Sequence, residues 1–153
     1  MEMKDEILIE APRDRVYAAL NDTDILKACI PGCEELIRHS ENELEARVVL
    51  KVGPVKARFG GKVTLDNSLA PARFSLSGEG SGGVAGFARG GADVELVDAD
   101  GRATLLRYEA KADIGGKIAQ LGGRLITATS QRLAGKFFES FKQQVERAAV
   151  PTT

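Results

Sequence analysis

The sequence predicts one α+β domain in which an antiparallel sheet of about seven strands wraps a single long C-terminal helix. Three observations predict it. Through the middle of the chain, apolar residues alternate with charged ones at a spacing of two, the period of a half-buried strand. From residue 117 onward the spacing becomes helical, and no proline interrupts it through 147. The 153 residues fit one domain, long enough to bury a core without disulfides or metals.

The elements follow in order. Ile7-Leu8-Ile9, flanked by acidic residues, reads as a first strand. Pro12 occupies a favoured first helical position, and Val16, Ala19 and Leu20 form a short apolar stripe, so 12–20 is a helix. Asp22 caps a second short helix over 23–28, and Pro31-Gly32 ends it. Leu44, Ala46, Val48, Leu50 and Val52 then alternate with charged neighbours. Past the turn at Gly53-Pro54, so do Val55, Ala57, Phe59, Val63 and Leu65. Gly60-Gly61 inside that run suggests a bend or bulge. Phe74 and Leu76, then Val94 and Leu96, alternate with polar residues; 98–101 is a turn. Leu106, Tyr108, Ala110 and Ala112 continue the pattern. Short connections make these strands an antiparallel meander. The last segment, with Ile118, Leu121, Leu125, Ile126, Leu133, Phe137, Phe138, Phe141 and Val145 at helical spacing, is one helix of about thirty residues, roughly 45 Å long. Pro151 lies just past its end. Only this helix is long enough to cover the apolar face of the sheet, and a twisted sheet closing over one helix leaves space beneath its N-terminal half.

Composition removes several function classes. The formal charge of −1 gives no overall pull toward nucleic acid or anionic lipid. Cys29 and Cys33 are too few for a disulfide scaffold or a complete zinc site. The acidic start at Glu2, Asp5 and Glu6 is the wrong flank for a targeting signal, so a reduced cytoplasmic setting is expected. No apolar run reaches the ~18 residues that cross a bilayer, although docking on a membrane surface stays open. The 17 glycines, about 11% against a usual ~7%, suggest bends or places of close approach.

Motifs that carry chemistry elsewhere are weak here. Gly80-Ser81-Gly82-Gly83-Val84-Ala85 superficially fits a dinucleotide fingerprint, but strands lie on both sides of it. It reads as a glycine-rich hairpin, or as a mobile lip or docking loop. Gly115-Gly116-Lys117 lacks the upstream glycine and the Ser/Thr of a phosphate loop, so it reads as the turn from the last strand into the helix. Gly122-Gly123, placed inside the helix, costs ~1 kcal/mol per glycine and suggests close packing or room for a ligand. Cys29 and Cys33 have no nearby base, because His39 falls in the polar 38–42 turn. No paired carboxylates stand on an apolar face. Asp113, Tyr108 and Thr129 are single polar groups that either contact a ligand or satisfy the structure.

A family resemblance runs along most of the chain. It is carried by Ala11-Pro12 and Val16, Ile30-Pro31-Gly32-Cys33, Val52-Gly53-Pro54-Val55 and Phe59-Gly60-Gly61. It continues through Gly78-Glu79-Gly80-Ser81-Gly82-Gly83-Val84-Ala85-Gly86, Gly115-Gly116-Lys117-Ile118-Ala119-Gln120-Leu121-Gly122 and Phe137-Phe138. In order and spacing these resemble the CoxG family of carbon monoxide dehydrogenase proteins, within the START-like helix-grip (SRPBCC) superfamily. The resemblance implies a helix-grip fold and a non-catalytic accessory role: binding a quinone-like or lipid-like molecule and linking a molybdenum-containing dehydrogenase to the membrane. It implies no covalent cofactor, a bound quinone or lipid, molybdenum hydroxylase subunits as partners and a peripheral place at the inner face of the cell membrane. The sequence reaches Thr153 without the anchor that several such proteins carry.

On that fold, the candidate ligand-binding residues are Leu50, Phe59, Val63, Phe74, Leu76, Leu106 and Tyr108 from the strands, and Leu121, Leu125, Ile126, Thr129 and Leu133 from the helix. No catalytic or metal residue is expected. Two other readings remain. One is a ligand-free protein that recruits or matures a molybdenum hydroxylase, docking through the glycine-rich hairpin and the Val52-Gly53-Pro54 turn. The other is a small-molecule cyclase or hydrolase.

Overall fold

The computed structural model describes residues 1–149. The chain runs β1 (Glu2–Ile9), α1 (Arg13–Leu20), α2 (Thr23–Cys29), β2 (Cys33–Ser40), β3 (Glu43–Val52), β4 (Val55–Asp66), β5 (Arg73–Ser81), β6 (Phe87–Ala99), β7 (Ala103–Gly115) and α3 (Gly123–Ala149). All strand pairs are antiparallel, in the order β1-β7-β6-β5-β4-β3-β2. This is the expected helix-grip arrangement: a seven-stranded antiparallel sheet, two short helices after the first strand, and a long helix at the end. Pro151 lies outside the described residues.

Local chemistry accounts for the elements. The Asp22 carboxylate accepts from the backbone N–H groups of Asp24 and Ile25, at 3.0 and 3.2 Å, and so starts α2. β2 carries Arg38 on the side facing the helices. Its guanidinium donates to the carbonyl oxygens of Asn21 (2.7 Å) and Glu41 (2.8 Å), which ties β2 to the α1–α2 link. On the outer face, Arg73–Glu95, Glu95–Arg107 and Arg107–Glu6 contacts at 2.8, 3.6 and 3.1 Å run across β5, β6, β7 and β1. Exposed pairs of this kind are worth ~0–1 kcal/mol each, so they fix register more than they stabilise.

Two expectations are corrected. The pair Gly60-Gly61 makes no bulge: β4 pairs β3 without a register break from Val55 to Thr64. Gly61 instead lies where β5 approaches closely. A Cβ built there would sit 2.8 Å from the Glu79 carbonyl oxygen, so its bareness allows the sheet to curl. The final segment is not one helix from 117. Lys117–Leu121 is a 3₁₀ turn, and Gly122, at φ +97°, separates it from α3. Gly122 and Gly123 meet nothing within 4 Å, so close packing does not explain them. The role of Gly122 is conformational.

The packed core lies at one end of the molecule. Ile9, Ala11, Val16, Ala19, Cys29, Phe74, Val94, Leu96, Leu106, Phe141 and Val145 form it, joining α1, α2 and the C-terminal half of α3 to the sheet. The Thr104 hydroxyl donates to the Ala11 carbonyl oxygen (2.8 Å) inside it. Lys142 Nζ donates to the Leu8 carbonyl oxygen (2.6 Å), and a Glu146 carboxylate oxygen accepts from the Glu10 N–H (2.8 Å). α3 is therefore clamped along β1 by its C-terminal half.

Candidate ligand site

The inner face of the sheet changes character along the strands. At the core end, cross-strand rows are bulky: Phe74, Val94 and Tyr108 stand side by side, with Leu96 and Leu106 beyond them. Toward the other end the rows shrink. Leu76 is followed across the sheet by Ala92 and Ala110. In the next row Val63 is followed by Gly78, Gly90 and Ala112, and in the one after that Ala46 by Gly61, Gly80 and Ala88. A floor of small side chains thus lies under the N-terminal half of α3.

The candidate residues divide along the same line. Phe74 and Leu106 are buried in the packed core, and Leu106 is wholly inaccessible. Thr129 is buried on α3. Leu50, Phe59, Val63, Leu76, Tyr108, Leu121, Leu125, Ile126 and Leu133 are only half-buried, although they lie on the inner strand face or on the covering segment. Apolar side chains that face one another in a closed core become fully buried. Their partial exposure shows that this end of the sheet is less tightly sealed than the core. Leu121 belongs to the 3₁₀ turn rather than to the helix. A Cβ on Gly53 would lie 2.8 Å from Leu125 Cδ2 and 3.9 Å from Leu121 Cδ1, so these leucines close down on the β3–β4 turn.

An aromatic group walls the hollow off from the core. Tyr108 stacks on Phe138 with ring centroids 4.9 Å apart; Phe138 meets Phe137 edge-on at 5.0 Å, and Phe137 stacks on Phe141 at 5.8 Å. At this wall a cleft of about 540 Å³ opens between β1 and α3, with Met3, Ile7, Tyr108, Ala134 and Phe138 on its apolar side and Glu2, Lys4, Asp5, Glu6, Gln131, Glu139 and Lys142 also lining it. That volume lies within the ~300–1,000 Å³ range of small-molecule sites. Among these, sequence reasoning chose only Tyr108. Asp5 faces Tyr108 because the two are register partners, a pairing no local pattern reveals. Phe138 was visible in the Phe137-Phe138 pair, but not its direction.

The polar groups are quiet. Burial, and secondarily the Asp5 carboxylate, pushes the Tyr108 phenol up, so it is neutral at ordinary pH and able to donate a hydrogen bond. Burial likewise pushes up the Cys29 and Cys33 thiols, with Lys27 partly opposing the shift at Cys33. Both are weak nucleophiles in that state. His39 sits at the end of β2 against Glu45, at 2.9 Å and exposed. Asp113 is exposed near the end of β7. Among the described residues, no group of three or more His, Cys, Asp or Glu is placed to hold a metal ion. No helix among them is long and apolar enough to cross a membrane.

Comparison with known proteins agrees with this geometry. A structure of a conserved protein from Geobacillus kaustophilus superimposes with a TM-score of 0.90 at 24% identity, over 98% of each chain. A START superfamily protein from Mycobacterium smegmatis matches at TM-score 0.71 and 12% identity, over 96% of this chain and 98% of that one. An aromatase/cyclase from Streptomyces sp. R1128 matches at 0.69 and 13%, over 96% and 94%. At such identities these likenesses establish the fold alone, and the fold is shared with catalysts. Curated proteins give no match. The family model for CoxG, a carbon monoxide dehydrogenase subunit, matches residues 6–146. With nearly all of the sheet and the grip helix, and all of the glycine-rich connections, inside that span, the chain belongs to the CoxG family of carbon monoxide dehydrogenase proteins.

Proposed function

We propose that this protein is a non-catalytic accessory protein that holds a quinone-like or lipid-like molecule between sheet and helix, and so links a molybdenum-containing dehydrogenase to the membrane quinone pool. The observation that carries the ligand part is the half-buried apolar lining over a floor of alanine and glycine, beside a fully packed core. The family match supports the partner part. Candidate contacts are Leu50, Phe59, Val63, Leu76, Leu121, Leu125, Ile126 and Leu133 for an apolar tail, with Tyr108 and Thr129 offering hydroxyls to a head group.

The energetics suit a carrier. Burying a methylene is worth ~0.8 kcal/mol, so a five-carbon isoprenoid unit gains on the order of 3–4 kcal/mol on leaving water. A bilayer offers nearly the same gain. Transfer between the two is therefore close to balanced, and polar contacts to the head group decide retention.

Native mass spectrometry of purified protein, before and after incubation with ubiquinone or menaquinone, tests this. Expected is a one-to-one adduct that solvent extraction removes. A chain that arrives empty and refuses both quinones overturns the carrier reading and leaves a ligand-free adaptor for the dehydrogenase.

A further inference from the structure

The formal charge of −1 hides a separation of charge along the molecule. Three connections meet at the end of the sheet remote from the packed core: the 53–54 turn, the 82–86 loop and the 116–122 segment. Their contacts join them. A Cβ on Gly82 would lie 2.6 Å from the Phe59 ring, one on Gly86 would lie 2.9 Å from Ile118, and Gly53 abuts Leu125. Around them stand Lys51, Lys56, Lys117 and Arg124, all exposed and, among the described residues, in no ion pair. Two acids toward this end are engaged by other arginines. Glu34 holds Arg58 (2.6 Å) and Glu35 holds Arg47 (3.4 Å), while Arg89 lies between its register partners Glu79 and Asp113. The turns at the opposite end carry Glu41, Glu43, Asp66, Asp98 and Asp100, with Arg102.

Three of these cations sit where folding alone disfavours them. Lys51 and Lys56 are direct register partners, like charge opposite like charge. Arg124 stands in the first turn of α3, which has no acidic residue, at the positive end of the helix dipole. In the same loop cluster Val84 is 93% exposed, at the tip beyond the glycines. An exposed aliphatic tip at the same end of the sheet as these unpaired cations is complementary to an anionic surface with an apolar interior.

We propose that this loop end docks on an anionic lipid surface, with Val84 entering the headgroup region and Lys51, Lys56, Lys117 and Arg124 lying over the phosphates. The inference deepens the carrier reading, since it would set Phe59 and Leu121 against the source of an apolar ligand. It rests on charge placement, so the two can fail separately.

Sedimentation of the 153-residue chain with vesicles of phosphatidylcholine, alone or mixed with phosphatidylglycerol, tests it. Expected is binding to the anionic vesicles only, weakening as salt rises. The double variant K51Q/K56Q should lower the partition coefficient on the order of 25-fold, about fivefold per cation. Val84→Ser should lower it as well, while E41Q/E43Q at the opposite end should not. Unchanged circular dichroism of K51Q/K56Q shows that the loss is not unfolding. Binding to neither vesicle, equal binding to both, or equal loss in E41Q/E43Q overturns the proposal. So does tip-dependent binding to an acidic polypeptide without vesicle binding, which would give this end to a protein partner. Vesicle binding by a chain that never takes up quinone sinks the carrier reading alone.

Discussion

Tyr108 stands opposite Asp5 across the β1–β7 ladder and stacks on Phe138, so its phenol is screened from water and faces a carboxylate. Both effects disfavour the phenolate and hold the pKa above its usual value of about 10. Difference titration at 295 nm against Tyr108→Phe should place this phenol's transition above that value. Asp5→Asn should bring it part of the way down, and an apolar ligand in the hollow should move it further up. The sign for stability follows. The folded state holds the proton more tightly than the unfolded chain, so the contribution is fully present below about pH 10 and is lost as pH rises through the folded-state pKa. A transition at or below that of an ordinary tyrosine would show that this wall is wet. The sequence marked Tyr108 as a candidate from its alternation, but its partner is set by a register spanning the whole chain.

At the scale of elements, the covering helix is held at both ends for different reasons. Its C-terminal half docks through Phe141, fully buried, and through the Lys142 and Glu146 contacts to β1. Phe141→Ala should cost about 3–5 kcal/mol in urea unfolding, the usual loss for a buried phenylalanine. Its start is set by Gly122. Gly122→Ala must hold a Cβ at φ +97° and should cost about 1–3 kcal/mol. Gly123→Ala, one residue on and with nothing within 4 Å, should be neutral or stabilising by less than about 1 kcal/mol. Equal losses at the two glycines would remove the conformational explanation. The period of α3 was legible because Phe137, Phe141 and Val145 repeat at helical spacing. The break before it was not, because Gly122 and Gly123 look alike in sequence and only the backbone path separates their roles. β2 was the least legible strand: its inner face offers Leu36 and then Arg38, a cation placed there by carbonyl groups contributed from elsewhere.

For the whole molecule, the decisive contrast is between a packed end and a hollow end built on the same sheet. Ala19 is buried in the core, while Ala92 is half-buried on the floor beneath α3. Leucine at the first should overpack and cost about 1–3 kcal/mol. Leucine at the second should extend into free space, cost less than about 0.5 kcal/mol, and reduce quinone uptake. Chemical unfolding of Ala19→Leu and Ala92→Leu measures both costs, and native mass spectrometry measures the uptake. Equal destabilisation would mean that the space under α3 is already filled. The polarity of charge belongs to this scale too. A net charge near zero gave no reason to expect lipid contact, yet the meander gathers Lys51, Lys56, Lys117 and Arg124 at one end and most turn acids at the other.

What the amino-acid order determined by itself was periodicity and punctuation. Alternation over β3, β4 and β7, the Asp22 cap, and helical spacing after residue 117 are local properties, and local sterics and hydrophobicity suffice to read them. The family resemblance was also written there, in glycine and proline motifs that must sit at fixed turns. The tertiary structure decided which of the alternating side chains would be sealed and which would face space. Leu106 and Leu76 carry the same pattern in sequence, but one lies in the core with α1 and α3 and the other beside Ala92 on the glycine-bearing floor. Burial depends on what arrives from distant chain segments, and that is fixed only when register, sheet curl and the docking of α3 are satisfied together.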